Sequence, residues 1–316
     1  VRFQVTHPML SQRYHPDLAT GAGVATLARA AEAAGFDGYG FTDHPAPTQA
    51  WLDLGGHDAL DPFVALGFVA AATTTIRLVP NIVVLPYRNP FVVAKAAATL
   101  DVLSGGRFTL ATGVGYLEGE YAALGVDHRE RAALFDEALD VIVAAWTTDE
   151  VSFAGRHFRA DGITARPRPV ARPHPPIWVG GNSAAARRRV AERGDGWCPF
   201  PAPPGMAEAV GTAALDGGDL LEAGIADLRR RLLDEGRDPA TVDISFPCRA
   251  GGNPAKDGFD ADAHLEGLAR LADLGVTWVQ VGIPGDSTER AVETLVRYGE
   301  QVIGPWRAER PLRSPS

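Results

Sequence analysis

The chain has 316 residues, enough for one large α/β domain or two ordinary ones and for a sizeable buried core. Its formal net charge is −9, its arginines are scattered, and no run interleaves basic with aromatic side chains, which argues against a nucleic-acid partner. No segment approaches the roughly 18 uninterrupted apolar residues of a membrane span, and the opening VRFQVTHPML lacks the basic-then-apolar build of a leader, so a soluble, cytoplasmic protein with no membrane partner is expected.

In chain order, a first strand over Arg2 to Val5 leads to His7. ARAAEAAGFDGYGFT then gives an alanine-rich helix stopped at Gly35 and a strand over Gly38 to Thr42, the αβ half of a βαβ unit. Asp61 before Pro62 and Asn89 before Pro90 each offer an N-cap with proline at the first helical position. They frame a strand over Arg77 to Val84, and Phe108 to Ala111 follows as the fourth. The segment from Thr147 to Pro176 breaks the rhythm, with a small hairpin around Gly155 and a proline-spaced extended stretch; in a barrel it would form a lid or wall. Strands over Ile177 to Val179, Gly196 to Pro199, Val242 to Pro247 and Trp278 to Gly282 complete the set, with helix stops at Gly194 and Gly275. Eight strands alternating with helices predict a single (β/α)8 TIM barrel spanning residues 1–316, with an insertion over 147–176 after the fourth βα unit.

In such a barrel the catalytic groups sit at the carboxyl ends of the strands. GFTDHP puts Asp43 and His44 there, and a histidine at that place can move a proton or donate to a developing anion; His7 is a weaker candidate of the same kind. After the fourth strand, ATGVGYLEGEYAALG carries Gly113, Gly115 and Gly119. The dinucleotide fingerprint requires a different spacing at the first βα turn, so that reading fails, and a glycine site open to a flat ligand remains beside a plain tight turn. PPIWVGGNSAAARRRVA ends a strand in Gly180 and Gly181 and opens a helix at Asn182 or Ser183, where converging N–H groups suit a phosphate monoester. Cys198 and Cys248 form neither a disulfide framework nor a zinc pair and read as reduced thiols, and His57, Asp58 and Asp61 lie in a loop where Asp61 already caps a helix, so no metal site is expected.

Taken together, AAEAAGFDGYGFTDHP, the stretch from DPFVALGFVAAATTT through ATGVGYLEGEYAALGVD, and FAGRHF with PPIWVGGNSAAARRRVAERGDGW resemble the luciferase-like flavin and deazaflavin oxidoreductases, in particular the branch using coenzyme F420. The match runs from about Val1 to Phe200. The resemblance implies a TIM barrel with the cofactor ring at the strand ends, supported by a non-prolyl cis peptide at Asn81–Ile82. It also implies that Thr112 and Gly113 edge the ring, that Gly180, Gly181, Asn182 and Ser183 take the ribityl phosphate, that Asp43 belongs to the cofactor site, and that His44 stands beside the hydride-transfer centre. Members that oxidise sugar phosphates carry a glutamate where Tyr116 stands here, so glucose 6-phosphate is not the expected substrate; Glu118 is a partial substitute, and His7, Tyr116 and Glu118 are the candidate substrate contacts.

The implied activity is hydride transfer between the deazaflavin C5 and a small organic substrate, in a homodimer. The alternatives are an FMN-dependent monooxygenase supplied by a partner flavin reductase, and a barrel that binds a flavin without turnover. Arg166, Arg168, Arg172 and the Arg187 to Arg189 run are the arginines that could meet an anionic cofactor tail, and Trp51, Tyr116, Phe153, Phe158 and Trp197 could line an apolar pocket.

Overall fold

The computed structural model describes residues 1–310. Its strands are β1 (Arg2–Thr6), β2 (Gly38–Gly40), β3 (Arg77–Leu78), β4 (Val83–Val84), β5 (Leu110–Gly113), β6 (Val151–Ala154), β7 (Arg159–Ile163), β8 (Ile177–Gly180), β9 (Gly196–Cys198), β10 (Asp243–Ile244) and β11 (Trp278–Gly282). Among them run the helices α1 (Gly21–Ala33), α2 (Gln49–Asp53), α3 (Pro62–Ala72), α4 (Pro90–Ser104), α5 (Glu118–Ala123), α6 (Arg131–Thr147), α7 (Ala184–Arg193), α8 (Pro204–Ala209), α9 (Gly218–Asp234), α10 (Ala261–Leu274), α11 (Thr288–Tyr298) and α12 (Gly304–Glu309).

Two all-parallel sheets, in the orders β11-β1-β2-β3 and β10-β9-β8-β5-β4, make the barrel wall. Parallel bridges Leu78↔Phe108 and Ser245↔Trp278 join their edges, so the expected eight strands form a closed ring. The expected third strand, Arg77 to Val84, is split in two. β3 pairs with β2 and β4 pairs with β5, and the peptide between Asn81 and Ile82 is cis where the chain passes from one neighbour to the other.

Helix starts follow the local chemistry. Asp61 accepts from the N–H groups of Phe63 and Val64, and Asn89 from that of Phe91, each with proline next in the chain. Gly35 and Gly275 close helices in the left-handed region, whereas Gly194 is extended and is small because a Cβ there would meet Val190 Cα at 3.0 Å.

Inside the ring, Trp178 and Trp278 pack edge to face at 5.3 Å between ring centres, with Val79, Ala111 and Cys198 around them and Ile82 above. Gly196 leaves the space in which the Trp178 ring lies; a Cβ there would come within 2.3 Å of it.

The insertion is built as expected, an antiparallel hairpin of β6 and β7 followed by an extended run. Its position corrects the expectation of a pocket wall. The hairpin turn is held by Glu137 on α6, whose carboxylate accepts from His157 and Phe158 N–H groups, and by the ion pair of Arg156 with Glu130. The extended run is held by the buried Asp101 on α4, which accepts from Val170 and Ala171 N–H groups at 2.6 and 2.9 Å. The insertion therefore lies along the flanks of α4 and α6, on the outside of the barrel.

Candidate active site

The carboxyl ends of the strands bring together the His44 loop, the Asn81–Ile82 bulge, the β5 exit and the Gly180–Ser183 turn. The His44 loop is fastened by a side chain that the sequence reading passed over. Glu120, in the first turn of α5, is fully buried, and its carboxylate accepts from Ala46 N–H at 3.1 Å and from Tyr87 Oη at 2.9 Å and lies 3.2 Å from His44 Nδ1. The close fit of α5 on this loop explains Gly119, where a Cβ would meet Thr48 Cγ2 at 2.1 Å.

The His44 side chain is 11% exposed, and its Nε2 has no partner among the described residues and is not sealed from solvent. Its ring packs on Trp51 at 4.6 Å, meets the edge of His57 at 5.1 Å, and lies 6.2 Å from Tyr116. Burial lowers the pKa of His57, whose Nδ1 engages the Asp58 carbonyl, and burial pushes the Tyr116 hydroxyl up to about 12. The result is a neutral aromatic rim around one accessible imidazole nitrogen.

Below the rim, Ile82 forms the floor. Its Cδ1 occupies the space that a Cβ would fill at Gly113, 2.3 Å away, and lies 3.3 Å from the corresponding point at Gly180. Gly113 and Gly180 are thus glycines because Ile82 lies across them. The Asn81 side chain points the other way, donating to Thr6 Oγ1 at 3.2 Å and Gln280 Oε1 at 3.4 Å inside the barrel.

Several expected contact residues have their side chains committed elsewhere. His7 is buried, with Nδ1 on Tyr39 Oη at 2.7 Å and Nε2 on the Leu18 carbonyl at 2.9 Å, so it has no atom left for a substrate; burial lowers its pKa to about 4. Asp43 pairs with Arg88 at 2.6 Å and accepts from Val84 N–H at 2.9 Å. Thr112 donates its hydroxyl to the Val83 carbonyl, which braces the bulge from below. Glu118 is solvent-facing and pairs with His128. Of the aromatic candidates, Trp197 is core and Phe153 and Phe158 pack in the hairpin, leaving Trp51 and Tyr116 at the rim.

The glycine turn suits an anion through its backbone. Asn182 spends its amide on Phe200 and Ala213, tying the turn to the loop after β9, and Ser183 caps α7 by accepting from Ala186 N–H. The N–H groups at the start of α7 are those that any helix leaves free for a capping ligand. Arg187 reaches back to the Asn182 carbonyl and pairs with Asp227 at 2.7 Å. The other arginines considered for a cofactor tail are engaged as well: Arg166 and Arg168 with Asp149, Arg188 with Glu192, Arg189 with Asp136, and Arg172 with carbonyls of its own loop.

Two surface clefts, of about 420 and 370 Å³, open at the opposite end of the barrel, one beside Leu228, Val242 and Thr277 and the other beside Leu139, Ile177 and Arg193. Neither includes a residue of the site above. Among the described residues no three His, Cys, Asp or Glu side chains converge as metal ligands, and no helix is long and apolar enough to cross a membrane.

The luciferase-like monooxygenase family model matches residues 3–249. The F420-dependent glucose-6-phosphate dehydrogenase of Nakamurella multipartita is 30% identical over 328 residues, covering 90% of this chain and 92% of that protein. The FMNH(2)-dependent dimethylsulfone monooxygenase of Pseudomonas putida is 36% identical over 130 residues, 40% of this chain and 35% of that one. The crystal structure of monooxygenase RslO1 from Streptomyces bottropensis superposes with a TM-score of 0.80 at 19% identity, over 97% of this chain and all of that one.

Proposed function

The chain belongs to the luciferase-like monooxygenase family, and from that premise we propose that it is an oxidoreductase that seats coenzyme F420 on the Ile82 floor and moves hydride to or from a small organic substrate. The observation that carries this reading is His44, with Nε2 open at the strand ends that also present the Gly180–Ser183 turn. A barrel that only stored a flavin would have no need of an accessible proton-transfer group there.

The residues fit such a group. Ile82, pressed down by Gly113 and Gly180, offers an apolar face to a ring, and the α7 N-terminus offers N–H groups to a ribityl phosphate. When bound, the deazaflavin supplies or accepts the hydride. The chain supplies the rest. His44 Nε2 takes or gives the proton at the substrate oxygen or nitrogen, and Trp51, His57 and Tyr116 set aromatic rings around the imidazole. The neutral rim suits an uncharged carbonyl, imine, alkene or alcohol, and Tyr116 removes the carboxylate that the sugar-phosphate oxidisers use.

F420 is favoured over FMN because the F420-dependent relative aligns along nearly the whole chain, whereas the FMN-dependent one aligns over 130 residues. Under the FMN reading a partner reductase would be required. We also infer a homodimer through α3 and α4. PFVALGFVAAA is apolar on every side, Val64 and Phe68 on α3 are 66% and 51% exposed, and Val92 on α4 is 65% exposed.

The test is a titration of the protein with F420 and with FMN, read by fluorescence and by co-sedimentation. Tighter binding of F420 supports the reading and tighter binding of FMN overturns it. His44→Ala is expected to keep cofactor affinity and to slow turnover by about 10²- to 10⁴-fold.

A further inference from the structure

We propose that Glu120 is a positioning residue that selects the tautomer of His44: it holds the proton on Nδ1 and so leaves the Nε2 lone pair facing the mouth. The functional consequence rests on the reading of His44 as the proton-transfer group, but the tautomer itself can be observed without any cofactor or substrate.

The argument is one of donors and acceptors. Glu120 is fully buried, and its carboxylate has only acceptor sites to offer. One oxygen, Oε1, faces the Ala46 N–H, which is an obligatory donor. The other, Oε2, accepts from Tyr87 Oη and faces His44 Nδ1 at 3.2 Å. A neutral imidazole with a bare Nδ1 lone pair against a carboxylate would leave two acceptors facing each other in a buried place, so the ring must carry its hydrogen on Nδ1. Nε2 is then the acceptor, and it is the ring nitrogen with no protein partner among the described residues.

His7 shows the opposite arrangement in the same barrel. Its Nε2 faces a carbonyl oxygen and must donate, so Nδ1 accepts from the Tyr39 hydroxyl. The two histidines are thus set in opposite tautomers by their neighbours, and only the setting of His44 leaves an atom free.

Glu120→Gln should invert the tautomer. The Ala46 N–H can be satisfied only by the new side-chain oxygen, which turns the amide NH2 toward His44 Nδ1. Nδ1 must then accept, and the proton moves to Nε2. Tyr87→Phe removes a neighbour of Glu120 and keeps the carboxylate, so the Nδ1–H form should persist.

The experiment is a long-range ¹H–¹⁵N spectrum of the full chain with ¹⁵N-labelled histidine at pH 9, with the His44 ring assigned by its loss in His44→Gln. The expected result is a proton-bearing Nδ1 and a bare Nε2 in the wild type and in Tyr87→Phe, with the two exchanged in Glu120→Gln. An Nε2–H form or a doubly protonated ring in the wild type overturns the proposal even if neither variant folds. An unchanged pattern in a Glu120→Gln protein with a cooperative thermal melt overturns it as well. If the tautomers behave as stated while neither F420 nor FMN binds, the tautomer assignment stands and the proposed function falls.

Discussion

Gly113 and Ile82 make a test in which one atom decides the outcome. A Cβ added at Gly113 would lie 2.3 Å from Ile82 Cδ1, against the roughly 3.5–4.0 Å at which carbon atoms rest. The backbone of Gly113 is not in the left-handed region, so Gly113→Ala brings a collision and no dihedral penalty. The clashing atom is the far end of the Ile82 side chain, so relief comes from turning that methyl off its place across Gly113 and Gly180. Overpacking of this kind costs about 1–3 kcal/mol. Ile82→Val deletes only Cδ1 and should cost about 0.5–1.5 kcal/mol alone. In the double variant the collision is gone, so its stability should match that of Ile82→Val, a coupling of roughly 1–3 kcal/mol in favour of the pair. Urea unfolding of the four proteins measures this directly. Additivity within about 0.5 kcal/mol would refute the claim that Gly113 is glycine on account of Ile82.

Gly40→Ala should fare worse, by about 3 kcal/mol or more, because the clashing atom is the Val79 carbonyl oxygen at 2.1 Å and backbone cannot step aside; a melt near that of the wild type would contradict this. His7 has a folded pKa of about 4, below the ordinary 6.5, so the unfolded chain binds the extra proton first. Its contribution is fully present above pH 6.5 and is lost as the pH falls toward 4, by up to about 3 kcal/mol. His7→Gln should flatten the stability–pH curve in that window, whatever its effect at neutral pH, and an unaltered slope would count against it. Phe68→Glu should shift the sedimentation coefficient to that of a monomer at micromolar concentration, while a wild type already monomeric there would remove the α3 interface.

The strand order and the helix starts were legible because they depend on neighbours in the chain: proline after Asp61 and Asn89, glycine after α1 and α10. His44 was legible from its place just past a strand. Glu120 was not. Sequence alone offers Glu118 as a partial substitute for the missing glutamate, but two residues along a helix is about 200° of turn, so the exposed Glu118 and the buried Glu120 lie on nearly opposite faces. The buried Tyr121 beside it marks the inward face and was the available signal. The partners that engage the side chains of Thr112, Asn182 and His7, namely Val83, Phe200 and Tyr39, are 29, 18 and 32 residues away and so lie beyond what neighbours in the chain reveal. The course of the insertion was hidden for the same reason, since Asp101 holds it from 69 residues upstream.

The tryptophan pair in the barrel bore gives the molecule a single doorway. With Trp178 and Trp278 packed inside the ring beneath Ile82, nothing passes through to the opposite end, and whatever rests on that floor is reached from the strand ends alone. Every ligand of this site, whichever arrives first, therefore enters and leaves by the same end of the barrel.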